Sequence, residues 1–462
     1  MNIMRGRLCT IFLAYVVFII GQSSLKGQDR GPLDPCQHLT ETAARWSRLA
    51  AEGEYPPAQY NLAKMYCLAD GVPKNKTEDV EWFKKAAELG DAVAQVKLGL
   101  RYRDGKGVSQ DYEEAMKWFR KAAEQGLAAG QNNLGWMYEY GLGVSRNYAE
   151  AKKCFEKSAE QGNAWGQNML GVMYESGAGV TKDPNTAVIW YRKSAEQGDA
   201  WGQNNLGVKY RDGEEVSKDY EEAVKWFRKS AEQGNAEGQN NLGWMYQNGW
   251  GVTRNVDEAL IWYEKSAEQG LAIAQNNLGH VYRMGLGGPP DPVEALKWYK
   301  KSAEQGNAEG QNNLGQMYRM GLGVSPDPVE AVIWYRKSAE QGNAVAQDNL
   351  GVMYREGKGV TQDYEEAVKW FRQAAEQGFA EGQNNLGWMY QNGLGVTKNV
   401  DEAVKWYKKS AEQGLATAKD NLGQMGLGVS PDAVEAVKWY RNLLNKAMLW
   451  LRTIWDRCIK KA

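Results

Sequence analysis

Histidine is nearly absent from this chain. Of 462 residues, only His38 and His280 carry an imidazole, too few for most zinc sites or histidine-based catalysis. An excess of either charge is missing as well: 56 Lys and Arg face 57 Asp and Glu, for a formal net charge of -1. No surplus positive field exists to hold a phosphate backbone, so nucleic acid is not an expected partner. Phenylalanine is scarce, with 8 residues beside 19 Trp, 24 Tyr and 52 Gly. Such a bias arises when one short unit is copied many times. The hydrophobic content of 43% can bury a core, which argues against wholesale disorder.

The first residues differ from all that follow. Arg5 and Arg7 precede an apolar stretch from Leu8 to Ile20, and Gly21-Gln22-Ser23-Ser24 closes it with a small-residue exit. These 13 apolar residues fall short of the ~20 that a membrane span requires and fit the about 7–15 of a secretory signal. The expectation is a signal over 1–24 and export, to the periplasm or outside the cell if the source is bacterial. No Ala-x-Ala site marks the exit, so a retained membrane anchor is the alternative.

Beyond it, Leu62, Leu98, Leu134 and their successors up to Leu422 recur every 36 residues, each followed by Gly or once by Ala. A fixed period of 30–40 residues over eleven units signals a solenoid whose units bury their cores only by stacking. In the unit Asn235 to Gly270, Asn235 caps a helix A whose Ala236, Leu242, Gly243 and Tyr246 fall at helical spacing. Gly249 and Gly251 end it in the left-handed conformation. Asp257 and Glu258 open a helix B with buried Ala259, Trp262, Tyr263 and Ala267. The predicted fold is all-α: a right-handed α-solenoid of stacked antiparallel helix pairs. Its boundaries are an N-terminal segment and capping helix over 25–57, eleven repeats over 58–442, and a C-terminal capping-helix extension over 443–462. Trp82, Trp118, Trp190, Trp226, Trp262, Trp298, Trp334, Trp370 and Trp406 are expected between the layers.

The pattern A-x-x-L-G-x-M-Y-x-x-G-x-G-V followed by D-x-x-E-A-x-x-W-Y-x-K-S/A-A-E-x-G resembles the Sel-1-like repeat family, a variant of the tetratricopeptide repeat. The resemblance implies a non-enzymatic adaptor or scaffold that binds other proteins, with no cofactor and no reaction chemistry. Several units depart from the pattern: Cys154 stands at the Trp position, Glu214-Glu215 replaces the x-Gly of one loop, and the last helix A lacks three residues.

Catalytic motifs fail. Ser23-Ser24-Leu25-Lys26 fits Ser-x-x-Lys but lies in the export segment without partner motifs. The Gly-x-Gly loops join helix to helix and lack the following Lys-Ser/Thr of a phosphate cradle. His280 has no second ligand at metal spacing, so no metal site is expected. The best constellation is the residue before each Leu: Asn133, Asn205, Asn241, Asn277, Asn313, Asn349, Asn385 and Asn421, with Met169 the exception. Their helix face includes Trp136, Trp244, His280, Gln316 and Trp388, and Trp165 and Trp201 one turn earlier. By similarity to tetratricopeptide superhelices, helix A lines a concave groove and these Asn match a ladder that holds an extended peptide. An Asn amide both donates and accepts, so it can grip backbone; alternatively the Asn bond across to the adjacent helix. The adjoining Asn132, Asn168, Asn204, Asn240, Asn276 and Asn312 are expected as solvated spacers or a second rail.

A protein or peptide partner is therefore the first reading. A carbohydrate or cell-wall ligand is the second, since Asn amides beside Trp rings also suit sugars. Hydrolysis of β-lactams, ascribed to some cysteine-rich relatives, is least favoured because their recurring Cys pairs are missing. Export also permits a disulfide between Cys36 and Cys67, which an antiparallel hairpin would bring level. The stretch Val434 to Ile459 keeps apolar helical spacing and carries basic residues, pointing to a terminal cap with possible membrane-surface contact.

Overall fold

The computed structural model describes residues 48–49, 51–53, 55–68, 75–426, 441, 443–446 and 448. The expected signal segment, Cys36 and most of the expected C-terminal cap lie outside the described residues. Among the described residues the structure is all-helical, an α-solenoid of stacked antiparallel helix pairs. No helix among them is long and apolar enough to cross a membrane. The chain divides into two compact units, Met1–Gly166 with Ala178–Val180, and Gln167–Gly177 with Thr181–Ala462.

Within each unit the same local chemistry repeats. The helix A Ala236–Asn248 begins at Asn235, whose side chain accepts the Gly238 N–H at 2.7 Å. It ends at Gly249, with φ 71, whose N–H donates to the Met245 carbonyl; only a residue without Cβ takes that conformation freely. The helix B Val256–Glu268 begins at Asn255, which accepts the Glu258 N–H at 3.1 Å. Asp257 and Glu258 in its first turn complement the helix dipole. Each helix A packs on its own helix B, and that helix B on the next helix A.

The Gly of each Leu-Gly pair sets the spacing of the two helices. A Cβ at Gly243 would stand 3.0 Å from the ring carbons of Tyr263, and one at Gly207 would stand 2.7 Å from Phe227. The missing side chain is what seats the helix B ring, and these rings are the anchors of the core: Phe119, Phe155, Phe227, Tyr263, Tyr299, Tyr335, Phe371 and Tyr407 are fully buried. Burying each ring stabilises the pair by about 1.5–3 kcal/mol. The expectation for the preceding Trp needs correction. Trp82, Trp118, Trp226, Trp370 and Trp406 are buried, but Trp190, Trp262, Trp298 and Trp334 are only half-buried. A Lys three residues on lies over the ring, as Lys265 does 4.2 Å from the centroid of Trp262, so the indole closes the edge of the layer and the next residue fills it.

Glutamines form a second internal ladder within each unit. Gln161 Nε2 donates to Gln131 Oε1 at 2.7 Å in the first, and Gln233 to Gln203, Gln269 to Gln239 and Gln305 to Gln275 at the same distance in the second. The acceptors are buried, and Gln239 and Gln275 pass the bond on to the carbonyls of Ala231 and Ala267 at 3.2 and 3.1 Å. Buried amides must be paired, and here they pair with their own copies.

Departures from the repeat appear where expected. Glu215 has φ 60, the one non-Gly residue with positive φ among those described. Its equivalent Gly251 has φ 66, and a Cβ there would stand 2.1 Å from the Tyr220 carbonyl oxygen. The last helix A is described over Ala416–Gly426, and the residues that follow it lie outside the described ones. Cys154 is buried, and burial pushes its thiol up to about 11, which keeps it protonated and inert.

Candidate functional site

The groove candidates all lie on A helices. In the second unit the rungs run from Asn205 to Asn421, and each amide reaches back to the preceding repeat. Asn241 Nδ2 donates to Asn204 Oδ1 at 2.8 Å, Asn277 to Asn240 at 2.9 Å, and Asn313 to Asn276 at 2.8 Å. Asn205, Asn349 and Asn421 do the same toward Asn168, Asn312 and Asn384, and Asn385 donates to Asp348 at 2.7 Å. Asn133, in the first unit, faces Val96 instead of an Asn one repeat back and turns its Nδ2 to the Ala129 carbonyl at 2.8 Å. The adjoining asparagines are not solvated spacers: Asn168, Asn204, Asn240 and Asn276 are buried as inner members of these pairs, Asn312 is a half-buried one, and Asn132, also buried, donates instead to Asn163 Oδ1 at 2.8 Å. Among the described residues, no partner engages the Oδ1 of Asn277 or Asn313.

Three groove tryptophans share a neighbour that the ladder reading missed. Arg103 lies 5.2 Å from the ring centroid of Trp136, Arg211 5.7 Å from Trp244, and Arg355 5.4 Å from Trp388. Each guanidinium also donates to the rung beside its Trp, at 3.4 Å to Asn133 and 3.3 Å to both Asn241 and Asn385. Gln316 takes the corresponding bond from Arg283 at 2.8 Å. A signal was present in the sequence: each of these Trp follows an Arg by 33 residues.

The remaining candidates divide. Trp165 meets Phe155 edge-on at 5.8 Å and is half-buried, while Trp201 is exposed. His280 is half-buried, and burial, then Arg283, hold its pKa below the usual value, so it is neutral at pH 7. Cys67 Sγ accepts from Arg101 at 3.0 Å and is unbridged among the described residues. No group of three or more His, Cys, Asp or Glu that could hold a metal ion occurs among them.

The Sel1 repeat pattern matches eleven stretches: residues 56–91, 92–127, 128–163, 166–199, 202–235, 236–271, 272–307, 308–343, 344–379, 380–415 and 416–442. The chain belongs to the Sel1 repeat family. Among solved structures the array is similar to a protective antigen of uropathogenic Escherichia coli strains that displays this fold, with 42% identity over 86% of each chain and a TM-score of 0.63. It is also similar to a Sel1 repeat protein from Oxalobacter formigenes, at 31% identity over 71% of this chain and 93% of that one, TM-score 0.47. No curated protein matches the chain. Sel1 repeat proteins are generally protein-interaction scaffolds, and the fold is typically non-catalytic.

Proposed function

We propose that this Sel1 array is an exported, non-enzymatic scaffold that holds a protein partner along the face of its A helices. The observation that supports the reading is the pairing of groove Trp with Arg. Aromatic and guanidinium groups side by side, half-buried and backed by a rigid ladder, are the side chains that dominate protein interfaces. Exposed apolar residues continue the face, among them Trp201, Ile273, Met284 and Met320. The glycan alternative is weakened because the indoles of Trp136, Trp244 and Trp388 already carry a guanidinium where a sugar would stack. Export is supported by the basic start, apolar stretch and small-residue exit, and by the relative described as a protective antigen, since an antigen that protects is reached by the immune response.

Photo-crosslinking tests the reading. A photoreactive residue at Trp201 or Met320 should capture a discrete protein in the native envelope fraction, whereas one at Lys225 on an exposed helix B face should not. Equal capture from both faces, or none from either, would overturn it.

A further inference from the structure

In each helix pair the core ring of helix B comes level with the residue 16 places before it, near the end of helix A. In three repeats the two are hydrogen-bonded: the Tyr263 hydroxyl donates to Gln247 at 2.8 Å, that of Tyr407 to Gln391 at 2.6 Å, and that of Tyr191 to Glu175. Where Arg103, Arg211 and Arg355 hold the earlier place, the ring is Phe119, Phe227 and Phe371. A phenol thus meets an acceptor, and a guanidinium meets a ring without a polar atom. Arg283 with Tyr299 and Arg319 with Tyr335, in successive repeats of the second unit, break this rule. Both members of each pair are donors. Both tyrosines are fully buried, yet no group of the chain accepts from either hydroxyl, and the Nε of each arginine is unmet as well.

A guanidinium has no lone pair to offer, so even turned onto the phenol oxygen it leaves the phenol proton without an acceptor. Burial pushes both phenols up to about 12, against the charge of the facing arginine, so that proton stays in place. Acceptors at these helix ends are engaged elsewhere. Gln316 Oε1 takes Arg283 Nη1 at 2.8 Å, Asp291 takes the N–H groups of Val293 and Glu294, and Asp327 those of Val329 and Glu330. Asp348, which feels the charge of Arg319, accepts from Asn385 at 2.7 Å. Neither guanidinium forms an ion pair among the described residues. Buried donors left in this way cost free energy that an occupant with lone pairs recovers. Water fits poorly, because it brings hydrogens of its own to a place already short of acceptors. An anion brings none. One guanidinium per pair matches one negative charge, which disfavours sulfate or phosphate. The unmet atoms expose no surface, so a partner's side chain has nothing to touch, whereas a single small ion enters with a swing of the half-buried arginine.

We propose that Arg283 with Tyr299 and Arg319 with Tyr335 are two equivalent sites for a free monovalent anion of chloride's size, each held by the phenol O–H and the guanidinium N–H groups. The inference goes beyond the scaffold reading and does not depend on it. It is tested by thermal melting of the full chain at fixed pH and ionic strength, with sodium chloride exchanged for sodium gluconate or sodium sulfate. Each comparison is made between wild type and variant in the same salt, which cancels the general action of salts on stability. Chloride should raise the melting temperature of wild type saturably. Arg283→Gln with Arg319→Gln repeats the pairing of Gln247 with Tyr263, so this variant should fold and lose the chloride response. Tyr299→Phe with Tyr335→Phe repeats the pairing of Arg211 with Phe227 and should weaken chloride binding about tenfold or more. Crystals soaked in bromide should show an anomalous peak beside each phenol. A chloride response equal in wild type and the Arg-to-Gln variant, a stronger wild-type-specific response to sulfate, or bromide at neither phenol would overturn the sites.

Discussion

Asn277 Nδ2 donates to Asn240 Oδ1 at 2.9 Å, so a rung on the candidate binding face is also a bond between neighbouring repeats. The same holds for Asn313 and Asn276. Asn277→Ala with Asn313→Ala removes both bonds and leaves the buried Asn276 acceptor unmet. At ~0.5–1.5 kcal/mol per bond, plus the cost of that acceptor, a loss of about 2–4 kcal/mol is expected in these repeats. Hydrogen exchange should show it locally, and calorimetry as a lower melting temperature. Unchanged melting would mean that the rungs brace nothing and serve only a ligand.

The next contrast concerns two adjacent rings. Tyr263 is fully buried against Gly243 and donates through its hydroxyl to Gln247 at 2.8 Å, while Trp262 is half-buried under Lys265. Tyr263→Ala should cost ~3–5 kcal/mol and Trp262→Ala clearly less, about 1–3 kcal/mol. Because each repeat touches only its neighbours, the damage should stay within adjoining repeats. Urea denaturation of the two variants checks the order; a larger loss from Trp262→Ala would reverse it.

The period, the helix pair, both caps and the strained Glu215 were legible in the sequence because each depends on local chemistry: an Asn or Asp before a helix, a Gly after it, and a Glu where its copies have Gly. Which of Trp262 and Tyr263 is the anchor was not legible, since both are apolar and one residue apart. The answer lies in the absent Cβ of Gly243, on another helix. The pairing of Asn rungs with inner Asn, and of Gln269 with Gln239, was hidden for a similar reason. A repeat copies every residue equally, so periodicity alone does not separate a buried amide from a solvated one. The Arg beside each groove Trp was visible only as a coincidence at a spacing of 33 residues.

Asp348 replaces an inner Asn of the ladder. At equivalent places Asn204 and Asn276 each donate to a Glu of the next repeat, Glu237 and Glu309, at 3.3 Å, but Asp348 sets a carboxyl opposite Glu381. Burial first, and Glu381 as a like charge, push Asp348 up to about 6, against the Asn385 hydrogen bond and the charges of Arg355 and Arg319. The folded chain thus binds a proton before the unfolded chain does, and stability from this group rises as pH falls from 7.5 toward 4. Asp348→Asn should abolish that slope and be more stable at neutral pH by up to about 3 kcal/mol. Comparing wild type and variant melting at pH 7.5 and 5 cancels the other groups; a difference independent of pH would contradict the assignment.

The last prediction concerns Lys209, which is 3% exposed at a position where other repeats place Met, as at Met245 and Met353. Its ammonium sits 2.6 Å from Glu175 and within 3.4 and 3.5 Å of Glu214 and Glu215. Burial pulls its pKa down, but these carboxylates more than compensate and hold it above the usual value, so it stays charged. A buried ammonium is costly, and an apolar residue of similar shape often does as well or better. The left-handed backbone at Glu215 adds ~1–2 kcal/mol of strain that Gly would relieve. Lys209→Met with Glu215→Gly should therefore stabilise the second unit by about 1–3 kcal/mol. Lys209→Ala should destabilise it by about 2–4 kcal/mol, because it removes the aliphatic stem and leaves three carboxylates without their cation. Denaturant melts of both variants decide the matter: a less stable Met and Gly pair would show that the ion cluster, rather than the packing it replaced, holds this repeat in place.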